Sequence, residues 1–350
     1  METRTETIIE GQYLRDILDQ PRALTATLAN LEIPKELSVA AQRLRKGEFK
    51  RIVLTGMGAS FHALYPTFLR LNAAGYTGYA IDTSELVYSL SCWLAPDTLI
   101  IAVSQSGESG EVVRLLENNR GRASVVGVTN AADSSLALQA NASIITMAGP
   151  EFSVSCKTYV TALMALHLIG EFLCGGDASL AREELAQVVR ATASYLNAWK
   201  EHVLEMSSEL DTIRTFFLLG RGPSLAACGD GALIVKESVR LHAEGMSGAA
   251  FRHGPLEMVD DRTCAVVFAG EENTRALQAR LYDDVRKARG KAFWIAENAR
   301  PGPWNLPTTP ASVRHILEIL PLQMMTLALA AEAGIEAGRF ARISKVTTTE

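Results

Sequence analysis

Cysteine is sparse in this chain: five in 350 residues, at positions 92, 156, 174, 228 and 264. No two form a C-x-x-C pair, so the sequence offers neither a zinc cluster nor a disulfide framework. The five read as small buried hydrophobes in a reducing compartment. An excess of positive charge is lacking too. Lys and Arg number 34 against 39 Asp and Glu, a formal net charge of −5, whereas a nucleic-acid-binding face would be basic. No run of about 18 apolar residues occurs, so no membrane span is expected. The longest apolar stretch, 317–331, is broken by Glu318, Pro321 and Gln323 and reads as a buried helix. The opening METRTETIIEGQ is charged and has no apolar core of a secretory signal, which makes a cytoplasmic protein the expectation. Also missing are the nucleotide phosphate-loop consensus G-x-x-x-x-G-K-[ST] and the third glycine of a dinucleotide fingerprint, because position 61 is Phe61. No cofactor and no metal is expected.

What the chain does contain is a repeat. Residues 54–60 read LTGMGAS and residues 218–224 read LLGRGPS, each after an apolar run and before a segment of helical spacing. Further apolar, β-branched runs recur in the same order: 98–103 is answered by 264–269, 124–128 by 292–296, and 143–147 by 313–317. Strands of this kind alternating with helices predict an α/β fold of two tandem doubly wound domains, each a parallel sheet covered on both faces. At roughly 100–200 residues per domain, the length agrees with two. The expected division is a helical segment over 1–44, domains over 45–175 and 205–335, a connecting helix over 176–204, and a tail over 336–350.

Ser104-Gln105-Ser106-Gly107-Glu108-Ser109-Gly110 follows the strand 98–103 directly and opens a helical segment. Ligands of parallel sheets bind there, beyond the carboxyl ends of strands, where the free N–H groups of a helix N-terminus suit a phosphate. Hydroxyls add donors, and glycine lets backbone approach a ligand closely. The first-strand loop, Gly56-Met57-Gly58-Ala59-Ser60, reaches the same edge. A phosphate monoester fits this loop better than a triphosphate or a dinucleotide. The alternative is a simple turn with Ser104 or Ser109 as a helix cap. In the second half the corresponding residues are Gly270-Glu271-Glu272-Asn273, whose carboxylates would repel a phosphate. One half therefore holds the phosphate and the other has diverged to supply something else.

These segments resemble the tandem SIS (sugar isomerase) family. Two G-x-G-x-S openings and S-Q-S-G-E after the second strand carry the resemblance. So do Lys236-Glu237-Ser238, His242-Ala243-Glu244 and Arg252-His253-Gly254-Pro255-Leu256, which are similar to the isomerase half of glucosamine-6-phosphate synthase. Pro321-Leu322-Gln323 and Ser344-Lys345-Val346-Thr347 are similar to its C-terminus. The likeness covers about residues 40–350. A glutaminase half with an N-terminal cysteine is not expected, since Met1 is followed by Glu2, and the stand-alone type II glucosamine-6-phosphate deaminases are the nearer comparison. The resemblance implies that Ser60, Ser104, Gln105, Ser106 and Ser109 hold the phosphate of a phosphorylated sugar, with Gly58, Ala59 and Ser344 in the substrate-binding loops. It implies Glu237 as the base between C1 and C2. It makes His253, supplied across a homodimer, the group that assists ring opening, and it sets Lys345 at the open-chain keto carbon. Three departures stand out: Ile234 where the synthase has a lysine, Ala59 where the family has threonine, and a stretch Ser153–Thr158 one residue shorter.

Without the resemblance each candidate has a plainer reading. Glu237 in ALIVKESVRL could face solvent on a helix. His253 sits in a turn marked by Gly254-Pro255. His242, in HAE, is expected on a helix, packing or capping. Lys345 is a tail lysine that would need desolvation to become a nucleophile. Three functions fit: isomerising deamination of a hexosamine 6-phosphate to a ketose phosphate and ammonia, deglycation of a fructosamine 6-phosphate, or non-catalytic sensing of a sugar phosphate.

Overall fold

The apolar runs of the sequence become two parallel sheets. The computed structural model describes residues 8–210, 212–297, 299–342, 344 and 345, and the chain divides into two units.

The first unit comprises Arg22–Glu151, Lys157–Ala186 and the residues from Arg342 on. Its strands are β1 (Arg51–Gly56), β2 (Gly78–Asp82), β3 (Thr98–Val103), β4 (Ser124–Thr129) and β5 (Ala142–Ile145). Their order is β2-β1-β3-β4-β5, every pair parallel. All six residues of the central β3 are buried, as a strand covered on both faces requires. On one face Val53, Ile100 and Val125 pack with Leu115 and Leu116 of the helix Gly110–Asn119. Burying each such side chain stabilises the fold by about 1.5–3 kcal/mol. The chain reverses its sense of winding at β1 and β3, so the loops after these two strands meet at one crevice.

The second unit comprises Met1–Pro21, Phe152–Cys156 and Gln187–Ala341. Its strands are β6 (Thr215–Gly220), β7 (His242–Ser247), β8 (Thr263–Phe268), β9 (Lys291–Glu297) and β10 (Asn305–Leu306). The order, β7-β6-β8-β9-β10, repeats that of the first sheet, again wholly parallel. The α/β tandem repeat expected from the sequence is therefore present, with five strands per sheet where four were legible.

Three expectations are corrected. The run 313–317 is no strand: Ile316 N–H donates to Val313 O and Leu317 N–H to Arg314 O, which winds Arg314–Ile316 into a 3-10 turn. Its apolar residues Val313, Ile316 and Leu317 are buried at helical spacing, and the fifth strand is the two-residue β10. HAE lies on no helix; it opens the edge strand β7, where the period of two sets His242 Nε2 3.4 Å from Glu244 Oε1. Among the cysteines, 156, 228 and 264 are buried, but Cys92 is exposed and Cys174 half-buried; all five are free.

The long apolar stretch does form a buried helix. Every residue from Leu320 to Ala331 of the helix Leu320–Ala333 is buried. By length and composition Arg314–Ala333 could cross a membrane, yet 89% of its apolar window is enclosed by the fold, as in a core helix.

Candidate active site

In the first unit the loop after β3 is braced from within. Ser104 is 6% exposed, and its N–H donates to Val128 O, so the loop leaves the sheet in register. Ser104 Oγ accepts from Gly107 N at 3.1 Å, and Ser106 Oγ accepts from Glu108 N at 3.1 Å. Gly107 has φ +65°, and a Cβ there would lie 2.1 Å from Ser134 Oγ, so only glycine fits. The Gln105 carbonyl accepts from Asn130 N and Thr129 Oγ1. Glu108 reaches across to Ser135, accepting from its backbone N–H and its hydroxyl.

Ser109 stands at the head of the helix Gly110–Asn119 in extended conformation, and its side chain makes no capping bond. The helix-cap alternative therefore fails for Ser109. Its hydroxyl and the first-turn N–H groups are the donors that an anion at this helix end would meet. The loop after β1 faces the same crevice. Gly56 closes β1 so tightly against β3 that a Cβ would come 2.9 Å from Val103 O. Gly58, at φ +53°, starts the five-residue helix Ala59–Ala63, which presents Ser60 half-buried. The structure thus brings Gly58, Ala59, Ser60, Ser104, Gln105, Ser106 and Ser109 to one sheet edge.

Lys345 also belongs to the first unit. Its ammonium lies 2.6 Å from Glu151 Oε2, with 19% of its side chain exposed and none of the glutamate's. The tail lysine is therefore not simply solvated, and Glu151 is a residue that sequence reasoning missed. Ser344 is exposed.

In the second unit Glu237 sits, half-buried, two residues before the end of the helix Leu225–Val239. Ile234, one turn earlier, is buried with 1% exposure and packs in the core instead of offering a charge. His253 ends the short helix Gly248–Arg252 and is exposed, followed by Gly254 at φ +144° and Pro255, as the turn signal implied. The second copy of G-x-G-x-S leads to different chemistry: Ser224 Oγ donates to Glu318 Oε1 at 2.9 Å. Burial pushes the Glu318 carboxyl up to about 7, against the opposing pull of the Ser224 hydrogen bond and Arg314, with Glu271 and Glu297 adding to the rise. No signal in the apolar run around Glu318 marked it as more than an interruption.

The SIS domain model matches residues 48–171 and 209–333. Two parallel-sheet units with a hydroxyl-rich loop at a helix N-terminus define the class, and this chain belongs to the SIS domain family. It is 30% identical over 353 aligned positions to the glutamine–fructose-6-phosphate aminotransferase (isomerizing) of Pyrococcus horikoshii. That alignment takes in 97% of this chain but 58% of the relative, so the chain spans little more than half the length of the enzyme it matches. Among solved structures, the C-terminal domain of glucosamine-fructose-6-phosphate aminotransferase from Francisella tularensis shares the fold at TM-score 0.81 and 21% identity. The match covers 94% of this chain and 98% of that one. A glucosamine-6-phosphate deaminase from Thermotoga maritima shares it at TM-score 0.76 and 18% identity, over 97% and 100% of the two chains.

Proposed function

We propose that the chain is a sugar-phosphate enzyme that carries out the isomerising deamination of a hexosamine 6-phosphate, giving a ketose 6-phosphate and ammonia. The observation that carries this reading is Ser109 at the head of the helix Gly110–Asn119, where its hydroxyl makes no capping bond while Ser104 and Ser106 accept from backbone N–H groups of the same loop. Such a hydroxyl, beside first-turn N–H groups and Ser60, suits a phosphate monoester. Gln105, Ser104 and Ser106 complete the cradle.

Glu237 is the base. It takes the C2 proton of the open-chain aldose and returns it to C1, and the resulting ketimine is hydrolysed by water to ketose phosphate and ammonia. One carboxylate above both carbons can serve both transfers. Lys345 acts at the keto carbon. His253 assists ring opening in a second copy of the chain; its exposure at a helix end supports that role.

The test is to incubate the protein with glucosamine 6-phosphate, galactosamine 6-phosphate and a fructosyl-amino-acid 6-phosphate, and to assay ammonia and ketose phosphate. Ammonia and ketose phosphate in equal amounts from an aldosamine phosphate is the expected result. Release of amino acid from the third substrate alone would make the chain a deglycase, and tight binding without turnover would make it a sensor.

A further inference from the structure

We propose that Glu151 is a positioning residue that fixes the amine of Lys345 for its work at the sugar carbon; the inference rests on the role given to Lys345 above. Glu151 follows β5 and has no exposed side-chain surface. Its Oε1 accepts from Thr158 N at 3.2 Å, and its Oε2 accepts from Thr158 Oγ1 at 2.5 Å. Thr158 is the second residue of the helix Lys157–Leu173, so its N–H is one of the first-turn donors that the helix itself leaves unpaired. Negative charge is favoured at that end of a helix.

The carboxylate is thus tied to a long helix whose residues are buried almost throughout. It is the fixed partner. Lys345, on a chain segment with no regular secondary structure, is the partner that must come to it. The two meet at 2.6 Å. A lysine has a long stem with many rotamers, and an ammonium unaccompanied at a sugar carbon would sample most of them. A buried carboxylate with both oxygens anchored removes that freedom. It also directs the ammonium by a charge-assisted hydrogen bond, the strong kind. With its oxygens engaged by Thr158 and Lys345, Glu151 acts through Lys345.

The role predicts how single and double variants combine. With glucosamine 6-phosphate as substrate, Glu151→Gln should lower kcat at least about tenfold and leave KM within about twofold, the signature of a lost transition-state interaction. Lys345→Ala should lower kcat by at least as much. In the double variant, Glu151→Gln should cost nothing beyond Lys345→Ala, because the two act as one unit. Thr158→Val, which frees Glu151 Oε2 from one anchor, should lower kcat, and Thr158→Ser should restore it. If Lys345→Ala turns over normally, the role given to Lys345 is wrong and this inference falls with it. If Lys345→Ala is slow and Glu151→Gln costs the same factor with or without the lysine, only the positioning role is wrong. A readout without turnover stands beside these. In 15N-lysine-labelled protein the Lys345 ammonium, assigned by its loss in Lys345→Ala, should give a resonance protected from solvent exchange that disappears in Glu151→Gln. A wild-type spectrum without that protected resonance would also overturn the proposal, and so covers the case in which Glu151→Gln fails to fold.

Discussion

Ser224 and Glu318 are joined by a buried hydrogen bond of 2.9 Å, the serine hydroxyl donating to one carboxyl oxygen. The other oxygen, Oε2, is buried with no hydrogen-bond partner among the described residues. Ser224 occupies the position in the second unit that Ser60 occupies in the first, so the same turn that offers a donor to solvent in one unit is spent on an internal acid in the other.

That acid makes stability depend on pH. In the folded chain the Glu318 carboxyl titrates at about 7, against 4.5 for the free group. Between these values the folded state holds a proton that the unfolded chain has released, so stability falls as pH rises through the window and levels off above it. Glu318→Gln keeps the shape without the titration. Urea midpoints should be similar for the two proteins near pH 5. Near pH 8 the Gln variant should be more stable by on the order of 1–3 kcal/mol, each unit of pKa being worth about 1.4 kcal/mol. Equal midpoints at both pH values would show that Glu318 has no raised pKa.

Ser109→Ala separates the ligand role of that hydroxyl from a structural one. Because the side chain caps no helix N–H, its loss should shift the thermal midpoint by no more than about 1 °C, within the usual range for such substitutions. A lost hydrogen bond to a charged phosphate is worth about 1.5–3 kcal/mol, so KM should rise by about tenfold to a hundredfold. An unchanged KM would remove Ser109 from the phosphate site.

Glu237→Gln retains shape and hydrogen bonding but cannot accept the C2 proton. We expect kcat to fall at least about a hundredfold while calorimetric binding of the sugar phosphate changes little. Turnover of the wild-type protein in D₂O should leave deuterium at C1 of the ketose, diluted by whatever fraction is transferred internally. Near-normal turnover by the variant would transfer attention to Glu244, which faces His242 on the edge strand β7.

Mixing two inactive proteins tests whether two copies share one site. Glu237→Gln and His253→Ala protomers, after verified subunit exchange, should regain activity through hybrid sites that carry both intact groups. If exchange occurs and activity stays at the level of the separate variants, His253 serves its own chain or none.

The sequence announced the central strands far better than the edges. β1, β3, β4, β6 and β8 are almost wholly buried, and burial on both faces writes itself as an unbroken apolar run. β2 reads GYAID and β7 reads HAEGMS, each with mostly half-buried or exposed residues, so no run appears. The loop after β3 was legible as a loop because its glycines and serines sit between a strand and a helix in sequence. Glu151 was not, because its partner lies 194 positions away and a single glutamate before a turn carries no pattern. The run 313–317 was misread because a short apolar segment does not separate strand from helix by itself, although its buried residues Val313, Ile316 and Leu317 fall at helical spacing.

The helix Leu320–Ala333 carries a burden that its sealed position in the native fold conceals. By length and composition alone Arg314–Ala333 matches a membrane-spanning stretch, and a newly made chain exposes that apolar surface until it is packed away. The helices Trp199–Leu210 and Leu225–Val239, against which it packs, precede it in the chain. They have left the ribosome by the time it emerges, so synthesis from the N-terminus has its docking surface ready and limits its exposure to the time that docking takes.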